Sequence, residues 1–340
     1  MRGLKIVTIF PDDCYFTFQS HLWLESLKER NLIDKAIVLI FTPNDREQNK
    51  ERFQQIIDLY PEAEFDFYKD EHNISQYLRR YIPILRPYTA WRYWTDHPEM
   101  KEKAVFYCDS DILFLEGFNL DPFLDDDIIY CSDTNSYINA DYFNSKVRDV
   151  LPNKLEEYQS LDILDTAARM IGINRKICEK NNLHSGGTQY LLKNIDADYW
   201  FKIMNECIPL KNYLEGINRE FFESENKGYQ SWVTDMFLVL WNLWLRGQET
   251  KIVKELDFSW ATDGIDRLKT TTIFHNAGIS SDMQDGHPCF FKGKYHQGTD
   301  PTKDPHLDVI LNNELSKKSC TWFYANKLKE LSNKYHLNYS

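Results

Sequence analysis

The sequence predicts an α/β fold built on a mostly parallel sheet. Three observations carry this. Apolar runs of strand length alternate with helical patterns over the first hundred residues, a βαβαβ rhythm that feeds parallel strands covered by helices. One of these runs, Val105-Phe106-Tyr107-Cys108, ends on Asp109-Ser110-Asp111, and a second apolar run follows at once. Ligands of such sheets bind beyond the carboxyl ends of the strands, which is where Asp109 and Asp111 fall.

The elements follow in order. Strand 4–10 precedes a helical stretch at 18–30 whose apolar positions are Phe18, Leu22, Leu24 and Leu27. Strand 35–41, a charged helix 45–59 and a short strand 64–68 come next. A helical stretch at 74–96 is interrupted by Pro83 and Pro87, and strand 104–108 delivers the aspartates. Residues 127–131 read as a further strand, and helices are expected at 153–172, 196–206 and 231–246. Leu315, Phe323, Leu328 and Leu331 suggest one more amphipathic helix in a lysine-bearing tail. One catalytic domain over 1–314 is expected, with halves meeting near 130, followed by a helical tail over 315–340.

Composition narrows the function classes. At 340 residues, 42% hydrophobic and 15% aromatic, the chain can bury a large core and is not disordered. A net charge of −12 argues against a broad nucleic-acid-binding face. The seven cysteines, at 14, 108, 131, 178, 207, 289 and 320, contain no Cys-x-x-Cys pair. Reduced thiols in a cytoplasmic protein fit this better than a zinc site or a disulfide framework. No leader-like segment precedes the first strand and no run of 18 apolar residues occurs, so no membrane association is expected.

Two carboxylates one residue apart at a strand end are costly to bury unpaired, and suit a hard divalent cation such as Mn²⁺ or Mg²⁺. Such an ion would neutralise a nucleotide diphosphate. Four other segments bear on this chemistry. Gly186-Gly187-Thr188-Gln189 permits close backbone approach to a ligand, or is a plain turn before a strand. Asp235, in Trp232-Val233-Thr234-Asp235-Met236, lies at a helix start, where it either serves a site or favours the helix dipole. His275 ends the strand-like Thr271-Thr272-Ile273-Phe274, as a metal ligand or as a structural imidazole. Lys292 and Lys294 flank Gly293, beside a phosphate or in a solvated loop.

Taken together, these segments resemble the GT-A type of metal-dependent nucleotide-sugar glycosyltransferase, with its Rossmann-like, mostly parallel central sheet. Tyr107-Cys108-Asp109-Ser110-Asp111 resembles the Asp-x-Asp motif, and His275-Asn276-Ala277-Gly278 the His-x-x-Gly element. The ordered set is similar to the hydroxyproline arabinosyltransferases and peptidyl-serine galactosyltransferases. It adds Tyr15-Phe16-Thr17-Phe18-Gln19, Arg86-Pro87, the Gly-Gly-Thr-Gln and Trp-Val-Thr-Asp segments and Phe291-Lys292-Gly293, and spans roughly residues 6 to 295. Arg86 stands where those families place Lys, and Ser280 and Ser281 follow where related retaining enzymes place Lys.

The resemblance implies transfer of a galactose-, glucose- or arabinose-type sugar from a UDP-sugar to a hydroxyl, with retention and with Mn²⁺ or Mg²⁺. Asp109, Asp111 and His275 would hold the ion. Thr8, Gln19, Arg86, Asp109, Ser110, Gly186, Gly187, Asn276, Gly278 and Lys292 would bind the donor, and Asp235 and Gln189 would act on the transferred sugar. Three other readings stay open: a phage DNA glycosyltransferase acting on 5-hydroxymethylpyrimidine bases through the tail lysines, a metal-dependent phosphohydrolase or nucleotidyltransferase, and a binding module without turnover.

Overall fold

The computed structural model describes residues 2–45, 49–224, 226–296, 298–337 and 339. It is an α/β protein. Seven strands form a mostly parallel sheet: β1 (Leu4–Pro11), β2 (Ala36–Thr42), β3 (Glu64–Lys69), β4 (Ala104–Cys108), β6 (Ile129–Ser132), β7 (Gly187–Lys193) and β8 (Thr250–Ile252). Their order is β3-β2-β1-β4-β7-β6-β8. Three short strands, β5 (Ile112–Phe114), β9 (Phe258–Trp260) and β10 (Ile273–His275), form a second sheet in the order β5-β10-β9.

The chain divides into two compact units. One comprises Leu4–Asp70, Tyr107–Pro122 and Lys254–Ser340. In it β1, β2 and β3 run parallel, with Thr8 opposite Val38 and Val38 opposite Phe65. All seven side chains of β2 are buried, as expected of a strand covered on both faces. Helix Tyr15–Glu29 and the final helix Cys320–Tyr335 share one apolar core, in which Phe18, Leu22, Phe274, Phe290, Tyr324 and Leu328 pack together.

The other unit comprises Met1–Gly3, Glu71–Phe106 and Phe123–Val253. Here β6 pairs antiparallel with β7 and parallel with β8. Its longest helix, Ala197–Phe221, has 25 residues and runs well past the stretch expected at 196–206. Pro209 lies inside it, yet Cys207, Leu210, Leu214 and Ile217 are buried on both sides, and that packing outweighs the lost hydrogen bond.

Other boundaries differ for identifiable reasons. The stretch at 153–172 is two helices, Leu155–Gln159 and Ile163–Ile171. Asp162 caps the second, accepting from the Asp165 N–H at 2.9 Å, and left-handed Gly172 closes it. Pro87 does not interrupt helix Leu85–Asp96, because it occupies the first turn, where its missing N–H has no helical acceptor. The charged helix begins at Glu51, and residues 46–48 of the expected stretch lie outside the described residues. Among the described residues no helix is long and apolar enough to cross a membrane.

Candidate active site

The backbone pairing of the small sheet builds the acidic site. β5 begins immediately after Asp111 and runs antiparallel to β10, with Ile112 opposite His275. The Asn276 N–H donates to the Asp111 carbonyl at 2.9 Å, so the turn after β4 and the end of β10 are locked side by side. His275 Nε2 therefore lies 3.4 Å from Asp111 Oδ1 and 3.7 Å from Asp109 Oδ2. Trp260, which pairs with His275 in the neighbouring strand β9, stacks on the imidazole at a centroid distance of 5.6 Å and 19° between planes.

One ligand atom from each of Asp109, Asp111 and His275 lies within 4.8 Å of the others. Neighbouring ligands of an ion held at about 2.1 Å sit roughly 3 to 4 Å apart, so the trio fits a six-coordinate divalent cation. The donor set of two carboxylates and one imidazole suits a divalent cation. His275 Nδ1 is buried and has no hydrogen-bond partner, which leaves Nε2 as the nitrogen aimed at the carboxylates.

Lys292 completes the cluster with an ion pair to Asp111 Oδ2. Burial opposes ionisation of Asp111, but the Lys292 ammonium and His275 outweigh it and hold the carboxyl well below its usual range. The same pairing holds the Lys292 ammonium above its ordinary value against its own desolvation. Lys294, two residues on, turns elsewhere and pairs with Asp282 at 3.2 Å and Asp304 at 2.7 Å. Tyr15, at the start of helix Tyr15–Glu29, has its phenol pushed up to about 12 by burial, with Lys292 and Asp111 acting on it electrostatically. Gln19 Nε2 donates to the Tyr15 carbonyl at 3.0 Å, and its Oε1 accepts from the Ser110 hydroxyl at 3.4 Å.

Thr8 lies within β1 of the same unit. It is mid-strand and fully buried, because β1 continues through Phe10 and Pro11, which pair with Ile40 and Phe41. Gly278 adopts φ +89°, a conformation a side chain would strain.

The remaining expected residues gather in the other unit. Asp235, second in helix Thr234–Leu245, is buried. The Tyr81 hydroxyl donates to its Oδ1 at 3.2 Å and accepts from its backbone N–H at 2.8 Å, and Arg86 Nη1 lies 3.3 Å from its Oδ2. Burial first, and Asp235 second, push the Tyr81 phenol far up. Gln189 is fully buried in β7, with its Oε1 accepting from the Ser132 hydroxyl at 2.5 Å. The space a side chain would need at Gly186 and Gly187 is filled by the protein itself. A Cβ on Gly186 would lie 2.4 Å from the Ser132 carbonyl oxygen, and one on Gly187 2.5 Å from the Tyr190 hydroxyl.

Sequence reasoning missed four residues. Trp260 and Tyr81 become visible only through strand register and tertiary pairing. Trp232 is exposed, and Thr188 carries φ +69°; both were in sight as segment members, but neither exposure nor backbone strain can be read from residue type.

Four of the five tail lysines are paired with acids. Lys334 meets Glu25 at 2.7 Å, Lys327 meets Glu29 at 3.2 Å, Lys329 meets Asp308 at 3.2 Å and Lys317 meets Glu314 at 2.7 Å. These charges are balanced within the protein, which weakens the case for phosphate contacts there.

No family model and no curated protein matches the chain. Solved structures show distant likeness. The apo structure of WbbM, a bifunctional glycosyltransferase, is 11% identical over 97% of this chain and 52% of its own, with a TM-score of 0.45. The apo form of mouse xyloside xylosyltransferase 1 is 10% identical over 81% of this chain and 97% of its own, with a TM-score of 0.35. The chain thus spans about half the length of the first.

Proposed function

We propose that this chain is a metal-dependent glycosyltransferase that moves a galactose-, glucose- or arabinose-type sugar from a UDP-sugar to a hydroxyl acceptor. The observation that carries the reading is the convergence of Asp109, Asp111, His275 and Lys292 just beyond the carboxyl end of β4. A cation bound there would supply Lewis-acid stabilisation of the leaving diphosphate. Asp109, Asp111 and His275 would hold it, and Trp260 fixes the imidazole plane. Lys292 supplies a permanent positive charge to the same oxygens, which favours departure of UDP. Ser110 and Gln19 restrain the turn that carries the carboxylates.

Retention of configuration is part of the proposal, with the departing phosphate accepting the proton of the incoming hydroxyl. Arg86 and Asp235 serve the acceptor in this scheme, and the buried Gln189 supports β7 from within. A cytoplasmic site of action is part of the same proposal.

A panel of UDP-sugars with Mn²⁺, read by mass detection of product and by UDP release, tests the reading. Acceptor-dependent UDP release lost in both Asp111→Ala and His275→Ala supports it. Full turnover in excess chelator, or UDP release that ignores every acceptor, would overturn it, the second outcome pointing to a hydrolase.

A further inference from the structure

Trp232 is 53% exposed, an unusual position for the largest apolar side chain. Its surroundings, all in the unit that contains Asp235, are ordered. The buried Tyr81 ring meets it edge-on at a centroid distance of 6.0 Å and 80° between planes, which fixes the tilt of the indole while leaving much of the side chain open. The same Tyr81 hydroxyl binds Asp235, and Asp235 binds Arg86. One residue after Asp235, Met236 Sδ lies 3.9 Å from the Thr188 hydroxyl.

Thr188 supplies an independent observation. A β-branched residue at φ +69° is a strained backbone outlier. It sits in a bulge, where the register between β6 and β7 jumps from Cys131↔Tyr190 to Ser132↔Gly187. Bulges of this kind re-aim side chains, and such strain concentrates where a side chain is needed in one place. Thr188 is partly exposed there, between fully packed neighbours.

Through Tyr81 the flat apolar indole is linked to a carboxylate–guanidinium pair, and Met236, the residue after Asp235, accepts from the Thr188 hydroxyl. A pyranose or furanose ring has the matching surface, with C–H groups on one face and vicinal hydroxyls at the edge. One hydroxyl can donate to the carboxylate while its neighbour accepts from the guanidinium. A nucleobase would use the platform but offers no such diol.

We infer that Trp232, Thr188 and the Arg86–Asp235 pair form a saccharide subsite, and that the acceptor is a carbohydrate hydroxyl. The word acceptor rests on the glycosyltransferase reading, but the saccharide site does not. The test is saturation-transfer NMR and calorimetry with methyl glycosides of hexoses and pentoses, without nucleotide, alongside a separate titration with UDP and Mn²⁺.

Saturable binding of at least one glycoside, weakened about tenfold or more in Trp232→Ala and largely kept in Trp232→Phe, is expected, since lost stacking is worth on the order of 1.4 kcal/mol. Circular dichroism of the exposed-site variant checks that it folds. Absence of saturable binding, equal binding in Trp232→Ala, or Trp232-dependent binding of uridine but no glycoside would each overturn the inference. UDP and Mn²⁺ binding that depends on Asp111 and not on Trp232 would leave the glycosyltransferase reading standing in those cases. Loss of that binding in the wild type would instead sink the reading and not the saccharide site.

Discussion

Replacing Lys292 by Met separates a site built for a cation from a buried ion pair that only stabilises the fold. Asp111 is 5% exposed and its Oδ2 pairs with Lys292. Removing one partner of a buried pair costs about 3–5 kcal/mol, because the other charge is left desolvated. The Lys292 side chain keeps 27% of its exposure, so the lower end applies, about 3 kcal/mol. With a urea slope of about 3 kcal/mol/M for a chain of this size, the midpoint falls by about 1 M. The loss is present across neutral pH. Asp111 has a depressed folded value, so its contribution persists above the unfolded carboxyl value near 4; Lys292 has a raised one, so its contribution persists below about 10.4. Mn²⁺ at about one hundred times its dissociation constant would then restore about 2.7 kcal/mol by binding only the native state. The variant should gain more from Mn²⁺ than the wild type, where the ammonium competes for Asp111. His275→Ala in the Lys292→Met background should abolish the rescue. If Mn²⁺ leaves the variant's urea midpoint unmoved, the metal assignment is wrong, whatever the activity data show.

Three further outcomes follow from local geometry. Gly186→Ala drives a methyl to 2.4 Å from the Ser132 carbonyl oxygen and 2.5 Å from Cys131 Sγ, so thermal melting should show a loss of at least about 1–3 kcal/mol. Thr188→Gly relieves φ +69°, worth about 1 kcal/mol, against a similar cost from the freer unfolded chain, so stability should change by less than about 1 kcal/mol while glycoside binding weakens with loss of the hydroxyl; a loss beyond about 2 kcal/mol would show that the side chain is held without strain. His21 is buried beside Tyr339, Tyr60, Tyr335 and Glu25, and burial lowers it to about 4, with Glu25 opposing and Lys334 assisting. The unfolded chain therefore binds the proton first, and stability falls as pH drops from about 6.5 toward 4. His21→Gln should show a smaller fall than the wild type in urea midpoints taken at the two ends of that window.

Five of the seven strands of the large sheet, β1 to β4 and β6, were legible as short runs of strand-forming residues, and Asp109-Ser110-Asp111 marked the end of one of them, whereas β7 and the three-residue β8 were not. In the small sheet the runs that became β5 and β10 were visible as strand-like, but β9 and the pairing of the three were not. β5, β9 and β10 have three residues each, too few for a period, so the pairing that sets Trp260 beside His275 and Asn276 beside Asp111 had no sequence signature. The choice between Lys292 and Lys294 was equally hidden, since a short 3₁₀ turn, Lys292–Tyr295, decides which ammonium meets Asp111 and which meets Asp304. Pro209 concealed half of the longest helix, because local propensity lost to buried contacts. Gly186-Gly187-Thr188-Gln189 read as a turn because glycine pairs signal turns, whereas here the glycines make room for Ser132 and Tyr190 and the irregular residue is Thr188.

The charge balance of the acidic cluster leads to a last prediction. In the cluster the two carboxylates outnumber the single ammonium. That field repels a diphosphate, so the residues alone should bind UDP poorly; a divalent ion reverses the sign and turns repulsion into attraction. Asp109, with 25% of its side chain exposed against 7% for Asp111, is the less buried of the two carboxylates, so its charge can be removed at the smaller structural cost. Asp109→Asn should therefore act in opposite directions on two ligands. Mn²⁺ affinity should fall by more than about tenfold, as expected when a ligand charge is lost. Metal-free UDP binding should rise by about threefold to tenfold, the worth of one charge removed at roughly 8 Å in a partly solvated site. Calorimetry with and without chelator reads both. A variant in which UDP affinity falls equally in the two conditions would mean that Asp109 contacts the nucleotide directly, by accepting from a ribose hydroxyl, and that Asp111 and His275 hold the ion without it.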